Sequence, residues 1–312
     1  MPANTDLTEA QVREFFSSLS NWGKWGATDQ LGTLNYITPR KRAQAATLVR
    51  EGVSVTMSLP LATQPGPDNP TPVMHLMMQT GASGETSMAP VPYSADYFAI
   101  APHGLANTHL DALCHVFNQG KMYNGYPSSD VTTQGAKNGA IDALKDGIIS
   151  RGVLIDIPLI KNREWLEPGE AISPADLEAA EQYGGFGVEE GDVLFVRTGR
   201  HARLKAKGSW DSFKEGMAGL GAACLPWLHA RKVAALGSDG ASDVLPSGYE
   251  KIMLPIHAVT IVAMGIHLLD NCMLDAVAEA CVAKKRWTFM CVVAPLVLVR
   301  GTASPVNPLA IF

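Results

Sequence analysis

His103-Gly-Leu-Ala-Asn-Thr-His109-Leu-Asp111-Ala-Leu-Cys-His115 sets three imidazoles and a carboxylate within one short run of a chain that has only eight histidines. Imidazole nitrogen and carboxylate oxygen are donors that borderline divalent metals accept at neutral pH. His109 and Asp111 are two apart, so on a strand both side chains leave the same face. Asp111 and His115 are four apart, the span of one helical turn or a short bend. Fully extended, the run would reach about 40 Å at roughly 3.3 Å per residue, whereas a metal–nitrogen bond is about 2.1 Å. The two end histidines can therefore serve one centre only if the chain bends, and Gly104 supplies freedom for that bend. His109 and Asp111 are the core of the expected site, and His103 and His115 depend on local folding. A hydrogen-bonded polar loop accounts for any single histidine, but less well for the whole cluster.

A metal needs further ligands downstream. His257 opens an apolar stretch that reads as a helix, and Gly265 lets the chain reverse into a strand ending at Asp270. His267 competes for the same position. The loop Gly237-Ser-Asp239-Gly-Ala-Ser-Asp243 follows a buried strand, where loops often carry function, although an Asx-turn role serves its carboxylates equally well. Arg197, Arg200, His201 and Arg203 form a basic set able to grip a carboxylate; a plain exposed helix face is the simpler account.

The 312 residues are enough for a substantial core, and 46% are hydrophobic. A net charge of −5 argues against a nucleic-acid partner, which requires a basic face. No apolar run approaches the roughly 18 residues of a membrane span, and Met1 to Ser20 has no apolar signal core. The five cysteines are scattered, odd in number and without a C-x-x-C pair. They read as reduced thiols of a cytoplasmic protein, with Cys114 a small buried hydrophobe.

Thr8 to Leu19 reads as a helix with a Thr8/Gln11 capping box, and Asn21 to Asn35 as a Gly-rich aromatic loop before a helix from Pro39 to about Arg50. Strands are expected at 52–59, 73–80, 96–101, 152–157, 192–197, 233–236, 266–269, 287–293 and 296–299. Helices are expected at 173–183, 220–229, 256–264 and 271–283. A flexible stretch runs from Ser83 to Tyr93. Strands mixed with helices indicate α/β or α+β architecture, with neither an internal repeat nor a Gly-rich phosphate cradle.

Thr108-His109-Leu-Asp111-Ala-Leu-Cys-His115 resembles the His-x-Gly-Thr-His-x-Asp-x-Pro-x-His signature of the metal-dependent cyclase family, the kynurenine formamidase-like hydrolases that include isatin hydrolases. The segments from Trp22-Gly23 to Asn35 and from Gly301-Thr-Ala-Ser-Pro305 to Pro308 are similar to that family's N- and C-terminal signatures. The resemblance implies an α/β fold of the swivelling β/β/α cyclase type. A mixed twisted sheet core with surrounding helices would form a single domain over 1–312, with an N-terminal helical and loop extension at about 1–50. It implies His109 and Asp111 as metal ligands and His115 as catalytic acid/base. His257 and Asp270 would complete a second metal position, although the family has Glu there, about one residue earlier. Two departures stand out. The family's first histidine falls here on Leu105, with His103 two residues further back, so either a longer turn restores the ligand or the position is lost. Leu113 replaces the usual Pro.

The expected function is a metal-dependent amidohydrolase using Zn or Mn. It would cleave an amide, lactam or related acyl C–N bond through a metal-activated water, with Trp22 and Trp25 as an apolar wall for a small flat substrate. Lactone or ester hydrolysis and polyketide-type ring closure use the same site, and a non-catalytic metal- or ligand-binding protein is the alternative from another class. A homodimer or homotetramer, with no nucleic-acid or membrane partner, is the accompanying expectation.

Overall fold

The computed structural model describes residues 7–81, 91 and 93–312. The stretches Val153–Ile155, Val193–Val196 and Val233–Leu236 are apolar at every position, without the alternation of a one-sided sheet. Such runs suit strands covered on both faces. They supply the middle of a nine-stranded mixed sheet. Its strands are β1 (Ser54–Thr56), β2 (His109–Asp111), β3 (Ile148–Asp156), β4 (Val193–Arg197), β5 (Ala235–Ser238), β6 (His267–Asp270), β7 (Thr288–Val293), β8 (Ala303–Pro305) and β9 (Leu309–Ile311). The spatial order is β1-β9-β7-β3-β4-β5-β6-β2-β8. Strands β3, β4, β5 and β6 run parallel to one another, and antiparallel strands extend the sheet on both sides.

Side-chain alternation divides the core in two. Val153, Ile155, Leu194, Val196, Leu236 and Leu268 belong to one buried cluster. Leu154, Val193, Phe195, Ala235, Leu269 and Leu110 belong to the other. Register then places the polar residues. Asp270 lies directly opposite His109 across β6 and β2, and Asp111 opposite Ala303. Opposed residues share a face. His109, Asp111 and Asp270 therefore leave the sheet together, on the side of Leu268. His267, three residues before Asp270, leaves by the other side.

The helix Glu9–Ser18 carries the expected Thr8/Gln11 capping box, and Pro174–Gly184 is capped by Ser173 with Asp176 reciprocating. The last expected helix begins late, at Asp275 rather than Asn271. Asn271 sits at φ 53°, and the N–H groups of Asn271 and Cys272 donate to Gly240 and Ser238, which ties this stretch to the end of β5. The helix opening at Pro255 passes through His257 into a π-helical turn, Ala258–Met264, and stops at left-handed Gly265. Leu296 to Val299 is not a strand. Pro295 lacks the N–H that a ladder needs, the run turns on itself (Leu298 N–H to Leu296 O, 2.8 Å), and all four side chains are exposed. The last strands are instead β8 and β9. Met74–Gln79 and Ala95–Ala99 form a separate antiparallel hairpin. The expected flexible stretch Ser83–Tyr93 lies, apart from Val91 and Tyr93, outside the described residues. Among the described residues no helix is long and apolar enough to cross a membrane.

Candidate metal centre

The bend that the extended-chain arithmetic requires is made between His103 and His109. Gly104 takes φ +116°, a conformation that suits glycine. The side-chain amide of Asn271 then pins the turn, donating to the carbonyls of Gly104 (2.6 Å) and Asn107 (3.3 Å). After β2 the chain turns again, with His115 N–H bonded to Ala112 O at 3.0 Å. The rings of His103 and His115 end up stacked, 3.7 Å between centroids and 12° from parallel.

Asp111 lies at the middle, 1% exposed. His103 Nδ1 is 3.0 Å from its Oδ1, and His109 Nε2 is 3.5 Å from the same oxygen. The other oxygen, Oδ2, is 3.8 Å from His257 Nε2 and 3.9 Å from His115 Nε2. His257 Nε2 is also 3.1 Å from Asp270 Oδ2. Ligand atoms of His103, His109 and Asp111 fall within 4.8 Å of one another, as do those of Asp111, His257 and Asp270. The two groups share Asp111. The sequence-expected residues His103, His109, Asp111, His115, His257 and Asp270 thus come together from three regions of the chain.

The donor set fits a divalent cation by its own bonding. Both oxygens of Asp111, Oδ1 of Asp270 and Nδ1 of His103 are buried without a well-directed hydrogen bond, the 3.0 Å approach of His103 Nδ1 to Asp111 Oδ1 included, a costly state for protein alone. Meanwhile the far side of each ring is occupied. His109 Nδ1 faces Asn107 O at 2.9 Å, His257 Nδ1 faces Asp243 Oδ2 at 2.7 Å, and His103 Nε2 faces Thr302 Oγ1 at 3.0 Å. Such outer partners fix which nitrogen is left to bind.

Electrostatics agree. Burial alone would raise the pKa of Asp111, but the surrounding imidazoles outweigh it and hold the carboxyl below its ordinary range. Burial opposes a charge on His257, yet Asp270 and Asp243 hold its pKa well above the usual value. A proton there answers the same excess of carboxylate that a metal ion answers. Burial pushes His115 down to about 4, so the ring is neutral at pH 7.

Other candidates fall elsewhere. His267 turns from the cluster and meets the backbone oxygen of Asp111 at 2.9 Å. Trp25 packs edge-on against Tyr36 at 5.0 Å, whereas Trp22 lines a cavity that shares Arg13, Phe16 and Asn118 with the one lined by His115 and His257. The basic set is spent internally: Arg197 pairs with Asp156 and Asp275, Arg203 with Glu167, and Arg200 is buried against Trp210 and Ser212 rather than on an exposed helix face. In the loop after β5, Asp239 accepts the N–H groups of Thr198, Gly199 and Arg200. Asp243 is the residue that sequence reasoning undervalued, and its place in that loop was the only signal for it. Asn107 and Thr302 carried no signal. All five cysteines are buried and free, and burial pushes Cys114 up to about 12.

Residues 41–242, well over half of the chain, match the family model described as "Putative cyclase". The crystal structure of a novel cyclase is similar with a TM-score of 0.86 at 29% identity, covering 95% of this chain and 99% of that one. An isatin hydrolase bound to the product analogue thioisatinate has a TM-score of 0.61 at 19% identity, covering 86% and 96%. Isatin hydrolase A from Labrenzia aggregata, bound to benzyl benzoate, has a TM-score of 0.58 at 18% identity, covering 85% and 94%. At these identities the two hydrolases share the fold. No curated protein sequence matches the chain.

Proposed function

The chain belongs to the cyclase family, and from that premise we propose that it is a metal-dependent hydrolase that cleaves an amide, lactam or related acyl C–N bond of a small molecule. The observation that carries this reading is Asp111, buried where two histidine–carboxylate groups meet and with neither oxygen in a well-directed hydrogen bond. His103, His109 and Asp111 would hold one divalent ion, and Asp111, His257 and Asp270 a second position. With nitrogen and oxygen donors and no thiolate among them, Zn and Mn both suit the set. A divalent ion so held supplies Lewis acidity, polarising the acyl carbonyl and lowering the pKa of water toward neutrality.

The chain's own groups do the rest. His115 Nε2 is near Asp111 Oδ2 but belongs to neither ligand group, and the residue lines a cavity of ≈ 270 Å³. Its neutral ring takes the proton of the attacking water and returns it to the leaving nitrogen, a general acid/base role. His103 stacks flat on that ring and limits its rotation. Asp243 orients His257. Phe16, Val116 and Leu254 line the same cavity and lower its polarity around the acyl group.

Metal analysis of the purified protein, then chelation and add-back during assay on matched amide, lactone and imide substrates, tests the reading. Turnover of the amide that vanishes with the metal and returns with it is the expected result. A protein that carries no divalent metal, or turnover indifferent to chelation, overturns it.

A further inference from the structure

The cavity at His115 adjoins a second one of ≈ 420 Å³: Arg13, Phe16 and Asn118 line both, and the second adds Trp22 and Lys121. Two properties of the outer chamber point to a ligand. First, Trp22 is 37% exposed yet held: its indole N–H donates to Val262 O at 2.6 Å, and Gly125 lies so close that a Cβ there would meet the ring at 3.4 Å. A fixed, open aromatic ring is a platform for a flat apolar group. Second, the chamber is cationic in a chain of net charge −5. Lys121 has no ion-pair partner among the described residues, and its ammonium stands 6.0 Å from the Trp22 ring centroid. Its backbone is tied to Asn118 by two hydrogen bonds of 2.9 and 3.0 Å, so it projects from a fixed turn just after His115. Arg13 faces the same chamber and is partly neutralised by Glu9 at 2.7 Å. Lys251 lines the inner cavity and likewise has no ion pair among the described residues.

We propose that the two cavities act as one groove that selects elongated substrates: a flat apolar body lies on Trp22 and Phe16, an anionic end is held by Lys121 with help from Arg13, and the acyl group reaches His115. This assignment rests on the hydrolase reading only for which end reacts. The groove's preference for an aromatic anion is a binding property and is tested without turnover.

The probe pair is 2-naphthalenesulfonate and the neutral methyl 2-naphthyl sulfone, titrated calorimetrically. A sulfonate is chosen because it ligates divalent metals more weakly than a carboxylate. The sulfonate is expected to bind the intact protein about ten-fold more tightly than the sulfone. Lys121→Ala should cut that ratio about five-fold, and Lys121→Arg should keep it. Trp22→Leu should weaken both probes alike. Equal affinity for the two probes, binding of neither, or a ratio that ignores Lys121→Ala but collapses on chelation would overturn the proposal; the last outcome would put the anion on the metal. Lys121-dependent binding with no amide turnover would sink the hydrolase reading alone, and equal binding with metal-dependent turnover would sink the groove alone.

Discussion

Asp243 Oδ2 lies 2.7 Å from His257 Nδ1, and the two oxygens of the same carboxylate accept the backbone N–H groups of Ile256 (2.7 Å) and His257 (3.1 Å). One buried side chain thus holds both the ring and the first turn that carries it. In Asp243→Asn the amide oxygen still accepts a hydrogen bond, but the charge that raises the basicity of His257 is gone. Metal affinity, measured by competition with a chelator, should fall about ten-fold or more while circular dichroism is unchanged. Affinity equal to the parent protein would leave Asp243 a purely structural residue.

Ligand and acid/base roles separate by substitution. Asp111→Ala removes the carboxylate shared by both donor groups, and the purified variant should lose its metal. His115→Ala leaves every group of both sets in place. It should keep its metal and lose about 10²–10⁴ of kcat. Equal metal content and equal rates in the two variants would refute the assignment.

His267 makes stability depend on pH. Burial pushes its pKa down from 6.5 to about 4, and the residue is fully buried. Above pH 6.5 folded and unfolded chains both hold it neutral. Between there and about 4 the unfolded chain takes up a proton that the folded one does not, so stability falls as pH falls. Below about 4 both are protonated and the slope ends. The full loss is on the order of 3 kcal/mol. His257, charged against burial by Asp270 and Asp243, slopes the opposite way, so the comparison is between the parent and His267→Asn. Asn retains a donor for the Asp111 carbonyl. Denaturant unfolding at pH 7 and pH 5 should show a smaller loss in the variant; identical losses would remove His267 as the cause.

Gly32 is the point where the N-terminal loop locks onto the body. It sits at φ +57°, and a Cβ there would come within 2.0 Å of Gly265 O. Thr33 N–H donates to that same carbonyl at 2.9 Å. Gly32→Ala combines a left-handed backbone with a backbone clash, so a loss of about 2–4 kcal/mol in equilibrium unfolding is expected. A variant within experimental error of the parent would show that the loop carrying Trp22 is free to re-dock.

Local chemistry made much of this legible. The strand parity of His109 and Asp111, the capping boxes at Thr8 and Ser173 and the apolar runs of β3 and β4 are properties of neighbours a few residues apart. The helix expected from Asn271 and the strand expected at Leu296–Val299 failed for tertiary and local reasons respectively. Asn271 serves the ligand turn and β5 before any helix begins, and Pro295 lies at the head of the second run. Trp25 shows the limit of composition: an aromatic loop marks an ordered segment, but not which of its rings faces the cavity.

What the sequence by itself determined was the supply of donors, the face on which His109 and Asp111 emerge together, and the need for a bend before His103 can join them. What only the tertiary structure decided was which distant residues meet them. Asp270 was the expected ligand with His267 as its competitor, and what separated them was the pairing of β6 with β2 in the register that sets Asp270 against His109. Asp243 acquired a partner only when the loop after β5 met the turn at Pro255. Side-chain direction along a strand follows from a two-residue period inside the chain. Register between strands far apart in sequence follows from how the whole core packs, and no local spacing encodes it.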